Sequence, residues 1–190
     1  MEFSNLLLKR RSIRDYKSKE VPLEIVHEII EDSIKAPNSQ NLQPWRFIII
    51  NDIDLMKRLS DSSKASMIED IESEPDSPRK EFLERLKDEA MNVFYNAPCL
   101  VYIVGQDGYL SLDVDVGLLA GYFMLSATSR GLGTCWIGLG RHVRDKELLN
   151  EIGLPEGHRI VAPIILGYPT GNIPDMNPRN KPIVLKTVTK

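Results

Sequence analysis

Four cations stand within six residues near the start of the chain, in Lys9-Arg10-Arg11-Ser12-Ile13-Arg14. Guanidinium forks match phosphate oxygens bidentately, and Ser12 adds a hydroxyl in the same turn, so the cluster suits an anion. It suits a solvated helix end as well, where cations complement the negative end of the dipole. A second stretch, Ala36-Pro37-Asn38-Ser39-Gln40-Asn41-Leu42-Gln43-Pro44-Trp45-Arg46-Phe47, sets amides and a hydroxyl between two prolines. A helix-to-strand connection needs about 2 to 6 residues and rarely so many amides. A long capped turn is the alternative reading. The third stretch is Gly131-Leu132-Gly133-Thr134-Cys135-Trp136-Ile137-Gly138-Leu139-Gly140. Gly131 and Gly133 read as a helix C-cap. Gly138 and Gly140 lie at a strand's end, where backbone N–H groups can face a flat ligand. The glycines follow a helix and lead into a strand, the reverse of a dinucleotide fingerprint. Arg179 and Lys181 add cations near the other terminus. A phosphate-bearing heterocycle would use all of these: cations on phosphate, amides on a polar ring edge, N–H groups at a ring nitrogen. No triad, paired-carboxylate site, P-loop or metal-ligand spacing is visible in the sequence to compete for the role.

Three apolar runs must carry these groups. Phe47-Ile48-Ile49-Ile50, Leu100-Val101-Tyr102-Ile103-Val104 and Arg159 to Pro169 read as buried strands. Phe3 to Leu8 predicts a short first helix. Pro22 opens a second, with Val26, Ile29, Ile30 and Ile34 at helical spacing and an end near Lys35, before Pro37. A helix is expected over 112–129 that is apolar nearly all round, as a central helix or a subunit interface would be. Residues 60–78 are acidic, serine-rich and mobile-looking, and Ser77-Pro78 predicts a capped helix through Ala90. A lid and a peripheral excursion both fit the region from about 60 to 95. Helices alternating with apolar strands place the fold in the α/β or α+β class, and no linker or repeat divides residues 1–190. Ile183-Val184-Leu185 forms a β-like tail with no helix to cover it.

The bulk numbers exclude several classes. Hydrophobic content of 42% and charged content of 27% are those of a globular chain. A net charge of -3 with mixed signs speaks against a general nucleic-acid binder. No apolar run is long enough for a membrane span and the opening residues lack a signal-peptide core, so a cytoplasmic protein is expected. Cys99 and Cys135 sit in apolar surroundings and read as inert thiols. His27, His142 and His158 are scattered, and no metal is expected.

With Arg10-Arg11-Ser12-Ile13-Arg14, Asn41-Leu42-Gln43-Pro44-Trp45-Arg46-Phe47, Gly131 to Gly138 and Leu166-Gly167-Tyr168-Pro169 in this order, the chain resembles the FMN-dependent nitroreductases over nearly its whole length. The resemblance implies an α+β fold, a central mixed sheet wrapped by helices, in an intertwined homodimer whose C-terminal tails cross to the partner. It implies one FMN at each end of the interface. By position, Arg10, Ser12 and Arg14, with Arg11 assisting, resemble contacts to the phosphate and ring edge. Arg179 and Lys181 resemble a second phosphate clamp. Pro37, Asn38, Ser39 and Asn41 resemble the loop that reaches the other subunit's flavin. Ile137, Gly138 and Leu139 resemble the segment over the ring, with the Gly138 N–H near flavin N5. Where this chain has Asn38 and Gly138, the family pattern often has Ser and an acidic residue; a backbone role survives both changes. The implied activity is ping-pong oxidation of NADH or NADPH with nitroaromatic, quinone or related acceptors. Rival readings are a branch with other reductive chemistry (dehalogenation, enone or flavin reduction) and a flavin store or regulator without turnover.

Overall fold

The computed structural model describes residues 2–74 and 76–189. Its helices are α1 (Phe3–Lys9), α2 (Leu23–Ser33), α3 (Ile53–Ser73), α4 (Leu83–Lys87), α5 (Leu112–Ser129) and α6 (Lys146–Glu151). The strands β1 (Trp45–Ile50), β2 (Cys99–Gln106), β3 (Gly133–Trp136) and β4 (His158–Gly167) form one sheet in the order β1-β2-β4-β3. All three strand pairs are antiparallel. The parallel component of the expected mixed sheet is a single bridge, Ser12 to Thr134.

Both sheet faces are covered, which is why the strands read as continuous apolar runs rather than alternating ones. Along β2, Cys99, Val101 and Ile103 join α2 and α5 in one core, while Leu100, Tyr102 and Val104 join α3 and α6 in another. Side chains on a strand alternate between faces, so one strand serves both cores. The alternation breaks once in β4, where Val161 and Ala162 face the same core. This is the bulge at which the pairing shifts between Ile103 and Val104.

α5 spans the expected residues, and α2 ends one turn before Pro37. Three expectations are corrected. The stretch from residue 60, expected to be mobile, is instead helical as far as Ser73 in α3, because Ser60, Ser63 and Ser66 are buried along it. Its Asp52 cap accepts hydrogen bonds from Asp54 N and Leu55 N, each 3.0 Å long. The helix expected from Pro78 to Ala90 is instead a 3₁₀ turn, Pro78–Phe82, followed by the single turn of α4. It stops because the Lys64 ammonium draws in the carbonyls of Asp88 (3.2 Å) and Met91 (2.9 Å), turning the chain out of helical geometry. Residues 171–189 are exposed and form no strand, so the expected β-like tail at 183–185 pairs with no strand of this chain. No helix among the described residues is long and apolar enough to cross a membrane.

Candidate functional site

Residues 10–16 leave α1 as extended chain and lie along the sheet's β3 edge. Ile13 N donates to Thr134 O (2.9 Å), Lys17 N to Tyr168 O (2.8 Å), and the buried Tyr16 hydroxyl to Ile13 O (2.6 Å). Burial pushes the Tyr16 phenol far above its ordinary range, so it stays a donor. Gly133 is required here, since a Cβ on it would stand 2.6 Å from Ile13 Cγ1. In extended chain, residues two apart share a face. Arg10, Ser12 and Arg14 therefore project from one face, and Ile13, buried, from the other.

This alternation separates the arginines. Arg11 Nε donates to Pro174 O at 3.1 Å, and its two terminal nitrogens donate to the carbonyls of Arg10 and Leu8. Arg11 thus ties α1 to the start of the tail. Arg10 and Arg14 have no carboxylate partner among the described residues; Arg14 lies over the Tyr95 ring, 5.7 Å from its centroid. Unpaired guanidiniums on one edge are an anion's binding partners.

Next to Arg14 is a hollow of about 170 Å³ lined by Tyr95, Trp136, Ile137, Gly138 and Leu139 among others. Gly138 begins a 3₁₀ turn, Gly138–Arg141, so its N–H has no partner within that turn. A methyl group placed on Gly138 would meet no atom within 4 Å. At Gly140 a Cβ would strike the Phe94 ring at 2.6 Å. One glycine therefore keeps a surface open, and the other lets the turn pack against the core. Burial raises the Cys135 thiol on the neighbouring strand, and it pushes Cys99 up to about 12, which makes both poor nucleophiles.

The amide loop lies elsewhere. Gln40, Asn41 and Gln43 all have positive φ, at 51°, 56° and 47°, a costly conformation for residues with side chains. Among the bonds that hold it, Gln43 N donates to Asn38 Oδ1 (2.9 Å), and Ser39 N to Asp115 Oδ1 (3.1 Å) near the start of α5. Asp115 is buried, and it also accepts from the Ser111 hydroxyl at 2.7 Å. Pro37, Asn38, Ser39 and Asn41 line neither the hollow at Gly138 nor the neighbouring 300 Å³ cleft between Ser12, Arg14 and Pro169–Pro174. Arg179 and Lys181 are exposed on the tail and likewise line neither. The single chain thus gathers the N-terminal cations and the Gly138 turn, but not the amide loop or the tail cations.

Sequence reasoning missed Tyr95, Met91 and Asp115. Tyr95 and Asn96 also have positive φ, at 54° and 50°, in a turn where Asn92 Nδ2 donates to Asn96 Oδ1 and Phe94 N to Asn92 Oδ1. The pair of asparagines four apart was the available signal.

The chain is 30% identical to a 4-nitrobenzoate reductase of Nocardioides sp. over 200 residues, covering 87% of this chain and 80% of that protein. It is 27% identical to an iodotyrosine deiodinase of Thermotoga neapolitana over 184 residues, covering 95% of each. A nitroreductase from Bacteroides fragilis, solved with bound FMN, superposes with a TM-score of 0.79 at 25% identity, covering 100% of this chain and 98% of that one. The model of the nitroreductase family matches residues 7–168, a span that holds the cationic edge, the amide loop and the Gly138 turn together; the chain belongs to the nitroreductase family.

Proposed function

We propose that this protein is an FMN-dependent oxidoreductase that uses NADH or NADPH to reduce nitroaromatic, quinone or related acceptors, working as a homodimer with its sites shared across the interface. The observation that carries the reading is the edge of Arg10, Ser12 and Arg14 beside an open Gly138. Two guanidiniums without carboxylate partners among the described residues, and one hydroxyl, suit a phosphate monoester. The floor of Ile137, Gly138 and Leu139 suits the face of a ring system, because the glycine leaves it without a side chain there. The residues present fit FMN. When bound, FMN supplies the two-electron exchange between nicotinamide and acceptor; the protein binds, orients and excludes water. Arg10 and Arg14 neutralise the phosphate, Gly138 N–H offers a donor to the ring, and Tyr95 closes the hollow's side.

The hollow of about 170 Å³ falls below the roughly 300–1,000 Å³ of a ligand pocket, which supports a second wall from another copy. The surface that would meet it is apolar. Val114, Leu118 and Tyr122 recur every four residues along α5 and are 66%, 44% and 44% exposed, Leu110 just before it is 104% exposed, and α1, packed on α5, exposes Phe3, Leu7 and Leu8. On this reading Pro37, Asn38, Ser39 and Asn41 complete the partner's site, and the tail with Arg179, Lys181 and exposed Ile183–Leu185 crosses to it. Residues from about 60 to 95 form the lid of a single domain. The likeness to a deiodinase keeps reductive dehalogenation as a second reading.

The test is the absorbance spectrum of the purified protein, with anaerobic addition of NADH and then NADPH. Flavin bands that bleach, and re-oxidise on adding a nitroaromatic, are the expected result. Bound flavin that never bleaches would make the protein a flavin store or regulator. Protein that stays colourless after reconstitution with FMN sinks the assignment.

A further inference from the structure

A cavity of about 290 Å³ lies between α3, the 78–87 segment and the turn at Tyr95. Its wall is apolar, with Met67, Phe82, Leu86 and Met91 among its members, and its only charged lining side chains among the described residues are Arg79 and Arg85. No carboxylate among the described residues lines it. Met91, Tyr95 and Leu139 line this cavity and the hollow at Gly138 alike, so the two adjoin across these residues. The two arginines differ. Arg79 is engaged, with Nη2 donating to Glu74 Oε2 at 3.1 Å and Nε to Ser77 Oγ at 3.4 Å. Arg85 has no hydrogen-bond or ion-pair partner among the described residues, while its neighbour Lys87 is paired with Glu72 at 2.8 Å.

We infer that this cavity is the acceptor chamber, that it selects aromatic acids, and that Arg85 is the residue that determines this specificity by taking the substrate's carboxylate. The inference rests on the redox site proposed above, from which it takes the electron source. A free guanidinium at an apolar cavity pairs with a carboxylate while the wall takes the ring. A zwitterionic amino acid fits worse, because its ammonium finds no carboxylate among the described lining residues. For a nitro acid the first step balances as ArNO2 + NAD(P)H + H⁺ → ArNO + NAD(P)⁺ + H2O. Two electrons reduce the nitro group to nitroso, one N–O bond breaks, and the released oxygen leaves as water.

The test compares 4-nitrobenzoate with 4-nitrobenzamide, equal in shape and differing in charge at pH 7. Binding is measured by calorimetry on the flavin-loaded protein, and KM in turnover. The acid should bind at least about tenfold tighter than the amide. Arg85→Gln should abolish that preference by weakening the acid about tenfold while the amide's Kd moves less than about twofold. A wild-type protein that binds acid and amide equally overturns the inference, as does an Arg85→Gln protein that loses both ligands alike. Calorimetry needs no turnover, so failure of NAD(P)H to bleach the flavin counts against the proposed redox function and leaves this outcome separately readable.

Discussion

The segment 10–17 and the excursion from α3 to Tyr95 flank the same hollow and are held in opposite ways. The first is fixed by main-chain bonds, Ile13 N to Thr134 O, Lys17 N to Tyr168 O and Thr170 N to Asp15 O, which survive most substitutions. The second hangs on particular side chains. Lys64 holds two carbonyls, the Ser60 hydroxyl accepts from Val93 N at 2.8 Å, Lys87 pairs with Glu72, and Arg144 with Asp70 at 2.7 Å. Backbone attachment keeps the cationic edge in place whatever the neighbouring residues are. Side-chain attachment lets the wall of the larger cavity change by single substitutions without moving the cationic edge. The two sides of the hollow are thereby free to vary at different rates.

Three perturbations test this division. The largest effect is expected from Arg14→Ala, which removes a charge-assisted contact and should weaken FMN by about 1.5–3 kcal/mol, roughly 10- to 150-fold, in a binding titration. Unchanged affinity in both Arg14→Ala and Arg10→Ala would remove the cationic edge from the site. Lys64→Met comes next. It strips the donor from two carbonyls at a buried position, and should cost about 1–3 kcal/mol of stability in denaturant unfolding. Hydrogen exchange over 88–95 should quicken while FMN affinity changes less than about threefold; equal loss at both ends would dissolve the contrast. The smallest effect concerns acid. Burial pushes the Asp61 carboxyl up, but hydrogen bonds from Lys57 and Lys64 outweigh it and hold it below its ordinary value. Its contribution is present above pH about 3.8 and is lost as pH falls through the lower folded value. Since Asp61 is half exposed, the loss should stay within about 1 kcal/mol. Exchange in α3 should rise on acidification before that of residues 10–17, and Asp61→Asn should remove the difference.

The strands and α5 were legible because unbroken apolar runs have few other fates. The cationic edge and the Gly138 turn were legible as types and spacing, and the excursion was not. Ser60, Ser63 and Ser66 read as a solvated, loop-like stretch, yet their small side chains let α3 pack closely against the 93–94 turn and the Gly138–Arg141 turn. Burial of small polar residues leaves no hydrophobic periodicity to detect. Arg11 was grouped with Arg10 and Arg14 until strand alternation and three carbonyl contacts sorted it out. The amide loop could be read as unusual, but its tie to Asp115, 76 residues away, could not.

That tie has a thermodynamic consequence. Asp115 pins the amide loop to the same helix that presents Val114, Leu118 and Tyr122 outward. If those residues meet a second copy, loop placement and association become one linked equilibrium. Apparent FMN affinity should then rise with protein concentration and level off once dimers dominate, and added FMN should in turn lower the concentration at which dimers form.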